Sequence, residues 1–195
     1  MKLKLLFLTL ISILTISCKD DSAERIIEQN KQVKKNEAIF DNINRGWIFD
    51  IIPMEPVTQS KINSWSQWRA FLNEINQKPK SSIGAFQKKS KILAIKATDL
   101  NNNNIPKEFN KPQVRTRINV IVTKIKSLNL FINLDQIQDK KVVKLIGEIN
   151  REIDYLQLQF EEIVKRSQIP KEEGEPDIIR MKDTTRAIPN APIQK

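Results

Sequence analysis

Cys18 is the only cysteine in a chain of 195 residues that contains no histidine. These two facts bound the chemistry open to it. General-base catalysis and transition-metal ligation draw most often on an imidazole. A reactive thiolate needs a neighbouring base or a second thiol. Cys–His dyads, iron–sulfur clusters, c-type haem and the common zinc sites are therefore excluded. Met54 and Met181 are far apart in the sequence, so no soft copper site is offered. Gly46, Gly84, Gly147 and Gly174 are isolated, and no loop is glycine-rich enough to cradle a phosphate. Carboxylates remain, and two of them suffice for glycoside hydrolysis. Glu148 and Glu152 stand one helical turn apart, but among lysines and arginines they read as a solvated face. Asp99 with Asn101 to Asn104 supplies one acid, too few for a calcium loop. No cofactor, metal or catalytic residue is expected, and the chain is read as a non-enzyme.

The surroundings of Cys18 give its thiol another use. Lys2 and Lys4 form a cationic head, and Leu5 to Ser17 carries no charge. That run is shorter than the roughly 20 residues needed to span a bilayer and has the length of a secretory signal core. Leu14-Thr15-Ile16-Ser17-Cys18 closes it. These residues resemble the lipobox of bacterial lipoproteins, although Thr15 stands where leucine is commoner. The resemblance covers about the first 21 residues. It implies lipidation of Cys18 and removal of residues 1–17. Lys19-Asp20-Asp21 resembles the export signal of surface-exposed Bacteroidetes lipoproteins, which implies an outer-membrane, lipid-anchored protein at the cell surface. Asp21-Ser22-Ala23 and Asp183-Thr184-Thr185 resemble the three-residue O-glycosylation site of the same bacteria.

The net charge is +10, two lower once Lys2 and Lys4 leave with the signal. Between Ile75 and Thr98 lie Lys78, Lys80, Lys88, Lys89, Lys91 and Lys96 with no acid, and Lys111, Arg115, Arg117, Lys124 and Lys126 continue the bias. A cationic side raises the local concentration of anions. Lys88, Lys89, Lys91, Lys96, Arg115 and Arg117 are the candidate face for an anionic partner, either an envelope protein or an anionic glycolipid. Nucleic acid is not expected, since no binding motif or stacking aromatic array appears.

The elements that position these groups read as helices. Glycine is scarce and alternating β patterns are absent. Residues 18–36 are expected to be a tether, with docking from Glu37 onward through Ile39, Phe40 and Ile43 and a stop at Gly46. Trp47, Ile48, Phe49, Ile51 and Ile52 form an apolar elbow before Pro53 and Pro56. A helix capped by Thr58 or Ser60 is expected to run to Lys78, with Ile62, Trp65, Trp68, Phe71, Leu72 and Ile75 on its core face. Trp65 and Trp68 are read as core, and Trp47 is the tryptophan least securely placed there. The next helix starts at Ser81 or Ser82 and carries Ile83, Phe86, Leu93, Ala97 and Leu100 inward.

Two seams of alternating four- and three-residue steps follow. The first runs through Val114, Ile118, Ile121, Ile125, Leu128 and Ile132. The second runs through Val142, Ile146, Ile149, Ile153, Leu156, Phe160 and Ile163. The short link 134–138 makes these two helices antiparallel neighbours. The expected fold is all-α: an elongated antiparallel bundle of four to five helices over residues 37–170, ending in a coiled-coil-like hairpin, with an extended tail at 171–195. Its expected role is a non-catalytic interaction or scaffold domain, against the alternative of a small-ligand or carboxylate-dependent glycan-handling module.

Overall fold

The computed structural model describes residues 22–80, 82–102 and 104–169. Among these the fold is all-α, with helices α1 (Ser22–Gly46), α2 (Pro56–Ile62), α3 (Ser66–Ile75), α4 (Ile83–Asp99), α5 (Pro112–Ile132) and α6 (Asp139–Gln168). The α5–α6 hairpin is its spine. Every expected α5 seam residue, from Val114 to Ile132, is buried. The α6 seam is buried from Val142 to Phe160, but it then moves from Ile163 to Val164. A straight helix drifts about 20° per heptad against a 3.5-residue repeat. Over the three heptads from Val142 that drift carries the core position one residue onward.

Helix α4 packs on α5, and α3 on α4. Ser82 caps α4 through its Oγ, which accepts the Ala85 N–H at 3.2 Å. Gln87 Nε2 donates to the carbonyl of Ile132 at 3.0 Å, satisfying one of the last acceptors of α5. Ser90 lies 2.9 Å from Asn129 and Asn101 donates to Asn119, so α4 runs antiparallel to α5.

Helix α1 departs from the expected antiparallel order. Asn42 donates to Asp139 at 2.6 Å, and one turn later Gly46 lies against Val143. The two helices therefore advance in the same sense. Because Asn42 already meets the first residue of α6, the earlier part of α1 leads away past the end of the hairpin. Residues 23–38 are all exposed and form an arm about 24 Å long at about 1.5 Å per residue. Docking begins at Ile39 and Phe40, which are half-buried, and is complete at Ile43.

Gly46 is required by this approach. A Cβ there would stand 2.5 and 2.6 Å from the two methyls of Val143. Gly46→Ala is expected to destabilise the fold by about 1–3 kcal/mol, the usual cost of overpacking. Pairing it with Val143→Ala should restore part of that loss in chemical denaturation.

After Gly46 the chain becomes a strap, residues 47–55, lying along α6. Asn150 Nδ2 donates to the Ile48 carbonyl at 2.9 Å, and the Glu55 N–H donates to Glu161 Oε1 at 2.9 Å. Trp47 and Met54 are its buried anchors, with Phe49 and Ile51 half-buried and Ile48 and Ile52 exposed.

The expected single helix from Thr58 to Lys78 is two helices. Pro56 opens α2, Thr58 is buried rather than capping, and the chain breaks at Asn63-Ser64-Trp65. Trp65 takes an extended conformation ahead of α3. The break lets α2 pack on α6 while α3 packs on α4, which one straight helix could not do. It also brings Trp65 and Trp68 together at 6.0 Å, stacked, with Phe160 edge-on to both.

Candidate functional site

Cys18, Lys19, Asp20 and Asp21 lie outside the described residues, as do Asp183-Thr184-Thr185 and Asp21 of the other triplet. Among the described residues no helix is long and apolar enough to cross a membrane.

The structure divides the candidate cationic face. Lys88 and Lys91 are exposed on α4, and Lys96 is half-buried. Lys91 and Lys126 flank an open groove of about 400 Å³ between α4 and α5, floored by Ala94 and Ile95. Lys89 does not belong to this face. Its side chain is 8 % exposed and pairs with Glu74 of α3 at 2.6 Å. It sits three residues after Phe86 and four before Leu93, on the helix's inward side. Arg115 Nε donates to Asn110 Oδ1 at 2.7 Å. Arg117 is turned toward α6, 5.6 Å above the Tyr155 ring. Lys91 and Lys126 thus border one groove with Asp99, and Lys88 is exposed three residues before Lys91 on α4.

The carboxylates of α6 separate into two environments. Glu148 and Glu152 converge on Lys124 of α5, at 2.8 and 3.8 Å. The hydrogen bond from Lys124, with its charge, holds the Glu148 carboxyl below the usual range. A pair clamped by a lysine is a helix-to-helix tie.

Asp154 is the opposite case. It faces the strap, where burial, and after it the charge of Asp50, pushes its carboxyl above its ordinary value. A folded-state rise means that ionisation costs stability. The penalty is absent below the unfolded carboxylate pKa of about 3.9 and grows as pH rises through and beyond it. Asp154→Asn is expected to gain in melting temperature relative to the wild type between about pH 4 and pH 7 in chelator. A difference that is flat with pH would contradict this. The Lys124–Glu148 tie has the reverse sign, and its contribution is lost as pH falls.

Around Asp154 the side-chain oxygens Asn150 Oδ1, Asp154 Oδ1 and Gln157 Oε1 are buried without a hydrogen-bond donor. Asp154, Gln157 and Glu161 line a pocket of about 130 Å³ closed on the other side by Ile52, Pro53 and Met54. Sequence reading missed this seam. Its signal was a polar stripe, Asn150, Asp154, Gln157 and Glu161, running beside the apolar seam at helical spacing.

The three tryptophans are in the core, Trp47 included, against Phe86 and Phe49. None offers a face for sugar stacking. Among the described residues no three Asp or Glu side chains converge as a metal cluster. Comparison of the chain with protein-family models, curated proteins and solved structures returns no match.

Proposed function

We propose that this is a lipid-anchored cell-envelope protein whose helical bundle is a non-catalytic interaction body, held off an outer membrane by Cys18. The observation that carries the reading is the direction of α1. It enters the bundle from outside along an exposed arm on the same N-terminal side as the lipobox-like segment. A body anchored at a membrane needs such a stand-off. The filled α5–α6 seams also favour it, because from Val114 to Ile132 and from Val142 to Phe160 the facing side chains are buried against the core. Glu108 and Glu162 border an open groove of about 940 Å³, where each is paired with a base, Lys61 and Arg166, and Asp154 and Glu161 border only about 130 Å³ at the strap. That is below the roughly 300 Å³ of the smallest usual ligand sites. Orientation toward the medium rests on Lys19-Asp20-Asp21.

The partner surface is the groove bordered by Lys91 and Lys126, with Lys88 one turn before Lys91, suited to an anionic envelope protein or glycolipid. Crosslinking in intact cells followed by affinity capture, with protease shaving, tests both parts. The reading expects a captured partner that is lost with Lys88→Glu/Lys91→Glu/Lys126→Glu, and removal of the bundle by added protease. No crosslinked product together with full protection from protease would contradict it.

A further inference from the structure

The strap seam has a composition that the interaction reading does not use. Every orphaned oxygen in it is an acceptor: Asn150 Oδ1, Asp154 Oδ1 and Gln157 Oε1. Gln157 is 95 % buried, its side chain lines the pocket, and its oxygen finds no donor. A buried acceptor left unpaired costs roughly 1–3 kcal/mol, so a row of them calls for something that binds oxygen. The nearby charge is negative on both sides. Asp50 from the strap acts on Asp154, and Glu161 lies one turn beyond Gln157. Lys165 pairs with Glu55 at 3.0 Å and its charge also acts on Glu161, whereas the charge acting on Asp154 is that of Asp50.

We propose that the strap–α6 seam is a weak binding site for a hard divalent cation of the calcium class, with Asp154 and Gln157 Oε1 as protein ligands. Oxygen-only ligation is the preference of such ions, and calcium accepts six to eight oxygens in flexible geometry. The pocket of about 130 Å³ has room for the ion and about three waters, at about 30 Å³ each. Few protein oxygens and many waters place the affinity in the range of about 0.1–1 mM seen for extracellular modules. Bound there, the ion offsets the charge of Asp154 and gives the Gln157 acceptor a partner. The proposal is independent of the lipid anchor and of the basic face.

The test is thermal denaturation of the purified full-length chain at pH 7, in chelator and then in about 10 mM calcium or magnesium chloride, with sodium chloride at matched ionic strength. At ten times a Kd of about 1 mM, linkage gives a rise of roughly 4 °C. That rise is expected in the wild type with calcium, and its loss in Asp154→Asn and in Gln157→Met, which keeps volume but removes the acceptor. Isothermal titration with calcium should show one site in the wild type and none in either variant. The proposal is overturned if sodium chloride gives the same shift, if calcium gives none, or if the variants respond like the wild type.

Discussion

Phe160→Ala is expected to cost about 3–5 kcal/mol. Phe160 is fully buried and lies edge-on to Trp65, Trp68 and Phe109, with centroids at 6.3, 5.6 and 5.1 Å. It is the one ring on α6 that all three others touch, so truncation opens a cavity lined by large rigid rings. Indoles from the segment joining α2 to α3 cannot collapse into it without moving that joint. Each kcal/mol lowers the melting temperature of a domain of this size by about 2–4 °C, so a fall of roughly 6–20 °C is expected. Phe160→Leu should recover over half of it, because volume matters more here than aromaticity. A fall of only a degree or two for the alanine variant would mean that the ring cluster is not packed as described.

Glu74→Ala is expected to cost about 3 kcal/mol, far more than a surface ion pair. Lys89 and Glu74 meet at 2.6 Å with side chains 8 % and 19 % exposed. Removing the carboxylate leaves an ammonium buried between α3 and α4 with its partner gone. Replacing both by apolar groups removes the problem instead of halving it. Glu74→Ala/Lys89→Met should therefore recover most of the loss, and Lys89→Met alone should be milder than Glu74→Ala. If Glu74→Ala cost under 1 kcal/mol in urea denaturation, Lys89 would be free to reach solvent, and its place on the cationic face would be restored.

The pattern behind both results shows what the sequence could reveal. The α5 and α6 seams were legible because two long helices repeat the same burial every three or four residues. The last step of α6 was missed by one residue, since helix drift accumulates with length. The break at Asn63-Ser64-Trp65 was hidden because Ile62, Trp65 and Trp68 keep helical spacing across it. Lys89 looked like its neighbours Lys88 and Lys91, and only its angle on the helix sets it apart. Trp47 sits at a helix end, where periodicity says nothing, and its burial depends on Phe86 of α4. The closeness of Gly46 to Val143 and the polar seam beneath the strap are tertiary facts, set by a segment with no repeat of its own. Composition excluded histidine chemistry, but it could not show where the acids of α6 would find or lack partners.

The central claim is that Cys18 attaches this body to a membrane and that the arm of α1 carries the bundle away from it. Metabolic labelling with a radioactive or alkyne-bearing fatty acid tests it most directly, in cells producing the wild type or Cys18→Ala. The account predicts label in the wild-type chain, none in the variant, and loss of the variant from the membrane fraction. Acyl chains contribute about 0.8 kcal/mol per buried methylene, so two or three of them would hold the wild type firmly. Label that persists in Cys18→Ala, or a wild-type chain that takes up none, would contradict the account.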